Sequence, residues 1–367
     1  MTGWNGSPMP TEAGGHRIPV VFAFDVDFAP YAALSAASLL AHKHRDLELY
    51  CITTGTTPDL RRTFDRLAQR YDSLIHFHEV GPSSFHAWKT DGHIKTATYF
   101  RLLIPTLINR SRVIYLDSDL VVTSSLDELY ATGLSDTEWF AGHPDPVAAR
   151  ASRINLPPGD PYINAGVLVM DLDKLRRADF LAACREYYRD NGDAIVFHDQ
   201  CIINGVGAGR KRPLESRWNV LMHAHDESSA RAMVRAFDGR GVIHASGPVK
   251  PWMSWSPPWL TDIWRRYADL AGLDFNRLVI EPRSLQERDF KARRLEAAGR
   301  GQEAAVIWRE LADEFWGAAW ALYDQTWSGA ETAGAAKREA IQELWDIWAH
   351  ARTMDAPPEE SAEQGGR

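Results

Sequence analysis

The residues of this 367-residue chain best suited to chemistry are Asp117 and Asp119, one position apart around Ser118. They follow Val113-Ile114-Tyr115-Leu116, a β-branched and aromatic run with no polar break, which reads as a strand covered on both faces of a mostly parallel sheet. Carboxylates at the end of a buried strand are costly unless a cation meets them. Oxygen ligands at this spacing suit a hard divalent cation such as Mg2+ or Mn2+, and such an ion can hold a diphosphate. The bland alternative is one Asp capping the next turn and the other solvated. The same spacing occurs twice more. Asp171-Leu172-Asp173 leads into Lys174-Leu175-Arg176-Arg177, so Asp173 reads as a helix N-cap. Asp25-Val26-Asp27 ends the first strand.

A second group lies further along. Val242-Ile243-His244 reads as a short strand ending in an imidazole, and Ala245 to Lys250, with Gly247-Pro248, as a tight loop that can present imidazole and ammonium together. Imidazole is a good third Mn2+ ligand beside two carboxylates, and Lys250 could meet a phosphate as a point charge; the alternative is a structural His. Arg101 stands among apolar neighbours in Lys95–Ile108, which reads as helical until Pro105. It could pair with an Asp of the central strand, or reach a phosphate or sugar. Asn164-Ala165-Gly166, just before another strand, lets the backbone approach something closely, or simply makes a tight turn. Asp199, in Phe197–Asn204, would be a helix N-cap on the bland reading.

Strands and helices must position these groups. Ile18–Phe24, Leu47–Thr53 and Leu74–Val80 read as strands, separated by a helix from Tyr31 to His42 and an amphipathic helix from Asp59 to Tyr71. That alternation predicts a parallel doubly wound sheet, whose ligands bind at the carboxyl ends of the strands. Trp139–His143 starts another strand, Asp145–Pro161 is a Pro-rich loop, Arg176–Arg189 is helical and Trp218-Asn219 lies in a polar connection. From Glu281 the pattern turns helical, over Leu285–Gly299, Gln302–Trp316 and Ala335–His350. Trp316, Trp320, Tyr323 and Trp327 share one stripe, either packed inward or docking a partner. The expected organisation is a flexible leader (1–17), an α/β domain (18–280), a helical subdomain (281–355) and a disordered tail (356–367).

A net charge of -8 argues against a nucleic-acid-binding surface. Three cysteines without a CxxC pair fit a reducing compartment rather than a disulfide framework or zinc site. No run reaches the ~18 apolar residues a spanning helix needs, and the polar first residues lack a signal-peptide core. A cytoplasmic location follows as an expectation. From Arg283 onward there are 11 Lys or Arg against 16 Asp or Glu, the opposite bias to a basic membrane anchor, so peripheral membrane contact has no support from charge. A protein partner or a dimer through these helices is the other option for this part.

Six stretches in order, VFAFDVDFAPY, TATYFRL, VIYLDSDLVV, YINAGVLVMDL, HDQCIIN and VIHASGPVKPW, resemble glycosyltransferase family 8, over roughly Val20 to Trp252. The family consists of retaining, metal-dependent enzymes and includes bacterial lipopolysaccharide galactosyl- and glucosyltransferases and glycogenin. The resemblance implies a GT-A fold, Rossmann-like and of α/β class, here with a C-terminal helical subdomain. It implies that Asp117, Asp119 and His244 bind Mn2+ (or Mg2+) bridging the diphosphate of UDP-galactose or UDP-glucose. It places Asp25, Asp27 and Phe28 near uridine, though the family commonly reads Asp-Asp-Asn-Tyr there and Val26-Asp27-Phe28 departs from it. Arg101, Ser118, Asn164 and Ala165 match donor-binding positions, Asp199 a sugar-hydroxyl contact, and Gln200 the residue beneath the anomeric carbon. Gly247 and Lys250 match the loop that closes on the phosphates. Retention of configuration enters from the resemblance alone. The acceptor would be a glycan, lipid-linked, peptide or small-molecule hydroxyl; a hydrolase using water and an inactive scaffold are the alternatives.

Overall fold

The structure is a computed structural model that describes residues 17–81, 85, 87–90, 95–145, 153–222 and 227–327. Ten strands are present among them: β1 (Ile18–Phe24), β2 (Leu47–Thr53), β3 (Leu74–Glu79), β4 (Arg112–Leu116), β5 (Leu120–Val122), β6 (Phe140–Pro144), β7 (Ile163–Asp171), β8 (Lys211–Pro213), β9 (Val220–Leu221) and β10 (Val242–His244). Seven form one sheet in the order β3-β2-β1-β4-β7-β6-β8, and three a small sheet, β5-β10-β9. β1 to β4 are parallel where they pair, as the alternation of strand and helix predicts. β7 runs against β4 and β6, which periodicity does not reveal. The reversal brings the amino end of β7 to the carboxyl end of β4, with Leu116 opposite Val167.

β1 and β4 are buried on both faces, apart from Arg112 at the start of β4 and Ala23 near the end of β1. Helix Ala29–Ala41 starts with Pro30 in its first turn, where a missing N–H costs nothing. Its Ala32, Ala33, Ala36 and Ala37 join Val20, Phe22 and Leu116 in one core, because methyl-sized side chains let the helix lie close on the sheet. The same helix holds the β4–β5 connection. Ser35 Oγ reaches the carbonyls of Ser118 (2.9 Å) and Leu120 (2.6 Å), and Val122 N–H donates to Ser38 Oγ (2.9 Å). Two buried hydroxyls thus pin the turn that carries Asp117 and Asp119.

Two expectations need correction. Pro105 does not end the preceding helix: a 3-10 helix, Thr96–Leu103, runs into helix Ile104–Leu107, and Pro105 occupies its first turn. The cap of helix Leu172–Arg177 is Asp171, whose Oδ1 accepts from Lys174 N (2.9 Å), while Asp173 pairs with Arg176. Asp171 pairs with Arg112 at the amino end of β4, so this Asp-x-Asp lies at the opposite end of the strands from Asp117.

The described residues divide into two compact units, one from the chain up to Pro251 with Pro258–Leu278, the other from Trp252–Pro257 with Val279 onward. In the second unit helix Leu285–Ala297 opens with a Ser284/Glu287 capping box and stops before Gly299, which takes a left-handed φ of 74°. Helix Gly301–Trp327 returns, and Ala292, Leu295, Ala304, Trp308 and Leu311 form the core between the two helices. The expected helix Ala335–His350, the tail 356–367 and all but the last residue of the leader 1–17 lie outside the described residues. So do the side chains of Trp316, Trp320, Tyr323 and Trp327. No helix among the described residues is long and apolar enough to cross a membrane.

Candidate active site

Sheet order reverses direction between β1 and β4, and in open α/β sheets the crevice outside that point is where ligands bind. Asp25 follows β1 and Asp117 follows β4, so both stand at it. β10 pairs antiparallel with β5, His244 opposite Leu120, which delivers the imidazole to the same place. Ala245 N–H then donates to Asp119 O (3.0 Å), and Asp117 N–H to Gly166 O (2.8 Å).

Asp117, Asp119 and His244 each offer a ligand atom, and these atoms lie within 4.8 Å of one another. Each carboxylate uses its two oxygens differently. Asp117 Oδ1 receives Arg101 Nη2 (2.8 Å) and the Tyr115 hydroxyl (2.6 Å), leaving Oδ2 3.8 Å from His244 Nε2. Asp119 Oδ2 receives Lys250 Nζ (2.6 Å), leaving Oδ1 3.1 Å from the same Nε2. Asp119 Oδ1 is buried with no well-formed hydrogen bond. Two carboxylate oxygens and one imidazole nitrogen, one of them orphaned, fit a divalent cation of the Mn2+ or Mg2+ kind. Burial by itself would raise the Asp119 carboxyl, but the charge of Lys250, with the His244 ring beside it, overcomes this and holds the group well below the usual carboxylate range.

Gly166 explains how these groups fit. A Cβ there would lie 2.3 Å from His244 Cε1 and 2.8 Å from Asp117 Oδ2, so the close approach expected of Asn164-Ala165-Gly166 is an approach to two of the candidate ligands. Gly166→Ala should push His244 aside and weaken Mn2+ binding by about 10–100-fold, the cost typical of a disturbed ligand shell. A Mn2+ titration of the folded variant checks this; unchanged affinity would mean that the ring is free to move.

Arg101 meets carboxylates while lining the cavity. Besides Asp117 it pairs with Asp199 (Nε to Oδ2, 3.0 Å), donates to Ala165 O (2.8 Å) and stacks over the Tyr115 ring at 4.6 Å. Asp199 is not the cap of helix His198–Val206: Phe197 occupies that position and Asp199 Oδ1 instead accepts from Thr98 Oγ1. Burial raises the Asp199 carboxyl, and Arg101 and Thr98 offset only part of the effect. His198, immediately before it, holds φ at 42°, a conformation that costs a non-glycine residue energy and that clusters at functional sites. Gln200 is held at both ends of its amide, Oε1 by Ala165 N–H (3.0 Å) and Nε2 by Asp145 Oδ2 (3.0 Å).

These residues surround an open cavity of ≈ 310 Å³. Asp25, Phe28, Arg101 and Ser118 line it, as do the three metal-ligand candidates. So do Asn164, Ala165, Asp199, Gln200 and Lys250. Asp27 and Gly247 are not among its lining residues. Asp27 instead pairs with Lys95, whose Nζ also lies 3.7 Å from Asp25 Oδ2. Asp25 Oδ1 accepts from Phe28 N–H (2.9 Å), tying the residues after β1 into a turn. Asp145, Thr98 and Asn219 also join the site, although a Pro-rich loop, a helical stretch and a polar connection do not single them out in the sequence. For Asn219 the one available signal was a polar residue directly before the apolar Val220-Leu221.

Residues 19–256 match the profile of Glycosyl transferase family 8. The chain is 26% identical over 255 residues to glycosyltransferase GlyF of Streptococcus pneumoniae, a match covering 69% of this chain and 62% of GlyF, so it spans less than two thirds of that relative. It is 24% identical over 250 residues to the lipopolysaccharide 1,3-galactosyltransferase of Salmonella typhimurium, covering 65% of this chain and 74% of that enzyme. Among solved structures it resembles the galactosyltransferase LgtC in complex with donor and acceptor sugar analogues, with a TM-score of 0.60 and 28% identity over 70% of this chain and 95% of LgtC. The fold is therefore GT-A, and with the profile running from β1 past Lys250, this chain belongs to glycosyltransferase family 8.

Proposed function

We propose that the chain moves a hexose, galactose or glucose, from a UDP-sugar to an acceptor hydroxyl, with Mn2+ or Mg2+ held by Asp117, Asp119 and His244. The observation that carries this reading is the convergence of their ligand atoms within 4.8 Å beside the cavity at the sheet's switch point. Similarity to enzymes named as galactosyltransferases supports a hexosyl donor. The acceptor is a glycan or lipopolysaccharide-type hydroxyl. The division near residue 280 supports a catalytic domain at 18–280 and a separate helical subdomain at 281–355.

In the transfer, the bond from the anomeric carbon to the UDP phosphate breaks and a bond to the acceptor oxygen forms. The acceptor proton passes to the leaving phosphate, and the configuration is retained, as family membership implies. A bound divalent cation supplies Lewis-acid stabilisation of the charge that develops on the diphosphate. The chain's own residues prepare the place. Arg101 spans Asp117 and Asp199, so neither carboxylate stands unpaired in a buried position. Lys250 orients Asp119 and keeps positive charge beside the site where UDP departs. Asp199 and Gln200, each locked by two partners, present a carboxyl and an amide to sugar hydroxyls without needing to reorganise.

UDP release from a panel of UDP-sugars tests the reading. One donor should give slow, Mn2+-dependent release that chelator stops and acceptor accelerates. Full-rate release without acceptor would identify a hydrolase. No release and no binding of any UDP-sugar would overturn the site assignment.

A further inference from the structure

His244 can turn a lone pair toward Asp117 and Asp119 only if its single proton sits on Nδ1. We propose that Asn219 is a positioning residue that fixes this tautomer, through a line of side-chain amides that ends at Asp145. The proposal rests on the metal-site reading above.

The polarity of the line is set by one backbone group. Gly166 N–H meets Asn164 Oδ1 at 2.9 Å, and since a backbone N–H can only donate, that Asn164 atom is the amide oxygen. The other end of the amide, Nδ2, donates to Asp145 Oδ2 (2.9 Å). Asn219 meets the same Asn164 oxygen at 2.9 Å and must therefore present its NH2 there. Its own oxygen is left facing His244 Nδ1 at 2.8 Å. An amide oxygen only accepts, so Nδ1 carries a proton, and in the neutral ring Nε2 keeps its lone pair toward the carboxylates.

Burial makes this arrangement binding. Asn219 is 0% exposed, His244 3% and Asn164 7%, so a turned amide would set acceptor against acceptor with little access for water to relieve it. The backbone holds the parts in register: Asn219 ends a short 3-10 turn directly before β9, and β9 pairs with β10 so that Leu221 lies opposite His244. Ligating histidines commonly give their second N–H to a carboxylate or a carbonyl. An amide oxygen fixes the tautomer equally well and adds no third negative charge to Asp117 and Asp119.

The test uses full-length protein, labelled with 15N at histidine, as wild type, Asn219→Leu and Asn219→Asp. Long-range 1H–15N spectra of the metal-free proteins, recorded at a pH where the ring is neutral, read the His244 tautomer, and titration followed by the free Mn2+ EPR signal reads affinity. Wild type should show the proton on Nδ1. Asn219→Leu should lose that preference and bind Mn2+ about 10–100-fold more weakly. Asn219→Asp keeps an acceptor opposite Nδ1 and should retain the tautomer, and although its second oxygen then faces Asn164 Oδ1 it should bind Mn2+ more tightly than Asn219→Leu, whereas a merely space-filling Asn would rank Leu above Asp. A wild-type proton on Nε2, or wild-type affinity in Asn219→Leu, overturns the proposal. If Asn219→Leu fails to fold, the wild-type tautomer and Asn219→Asp still decide. His244→Ala and Asp119→Asn separate the two levels: wild-type Mn2+ affinity in both would sink the metal site itself, while loss in both with none in Asn219→Leu would sink only the role of Asn219.

Discussion

Asp119→Asn is expected to reduce Mn2+-dependent turnover by roughly a thousandfold, since a metal's share of transition-state stabilisation is several kcal/mol and each 1.36 kcal/mol is about tenfold in rate. The substitution keeps the shape of the side chain and removes its charge. Asp119 gives one oxygen to Lys250 and turns the other, without a hydrogen bond, toward His244 Nε2, so the substitution removes charge at the oxygen that faces the proposed cation. Steady-state UDP release and a parallel Mn2+ titration should fall together. Turnover lost with metal binding intact would instead place Asp119 on the substrate.

Arg101→Met is expected to destabilise the fold by about 3–5 kcal/mol, the range seen when one partner of a buried ion pair is removed. The side chain is buried and joins Asp117 to Asp199, so its loss strands two carboxylates at once. Burial already raises the Asp199 carboxyl, and Arg101 is the main group that offsets part of this. Arg101→Lys should rescue little, because an ammonium cannot reproduce the planar fork that serves two acids and the Ala165 carbonyl. Urea unfolding measures the effect. A loss below about 1 kcal/mol, as for an exposed pair, would mean that water reaches both acids in solution.

The three residues of the proposed ligand set were in plain view in the sequence. Asp117 follows β4, Asp119 leads into β5 and His244 ends β10, and the strand end is where a doubly wound sheet exposes its chemistry. Arg101 was legible as a buried cation in need of an anion, with an Asp of the central strand as one candidate, but Asp199, 98 residues away, was not foreseeable. Strand direction was not legible at all. Side-chain alternation in Ile163–Asp171 is the same whichever way the strand runs, yet the antiparallel pairing of β7 is what sets Gly166 against His244 and sends Asp171 to the far end. Asn219 and Asp145 stayed hidden for a related reason. A polar residue in a connecting segment looks solvated until the chain folds other elements over it, and Asn219 makes its two side-chain contacts across 55 and 25 residues.

The most direct measurement is an anomalous difference map at the manganese edge from crystals grown with Mn2+ and UDP. One strong peak should lie between Asp117 Oδ2, Asp119 Oδ1 and His244 Nε2, with the diphosphate beside it in the cavity. UDP bound in that cavity with no metal peak at the three residues would contradict the assignment.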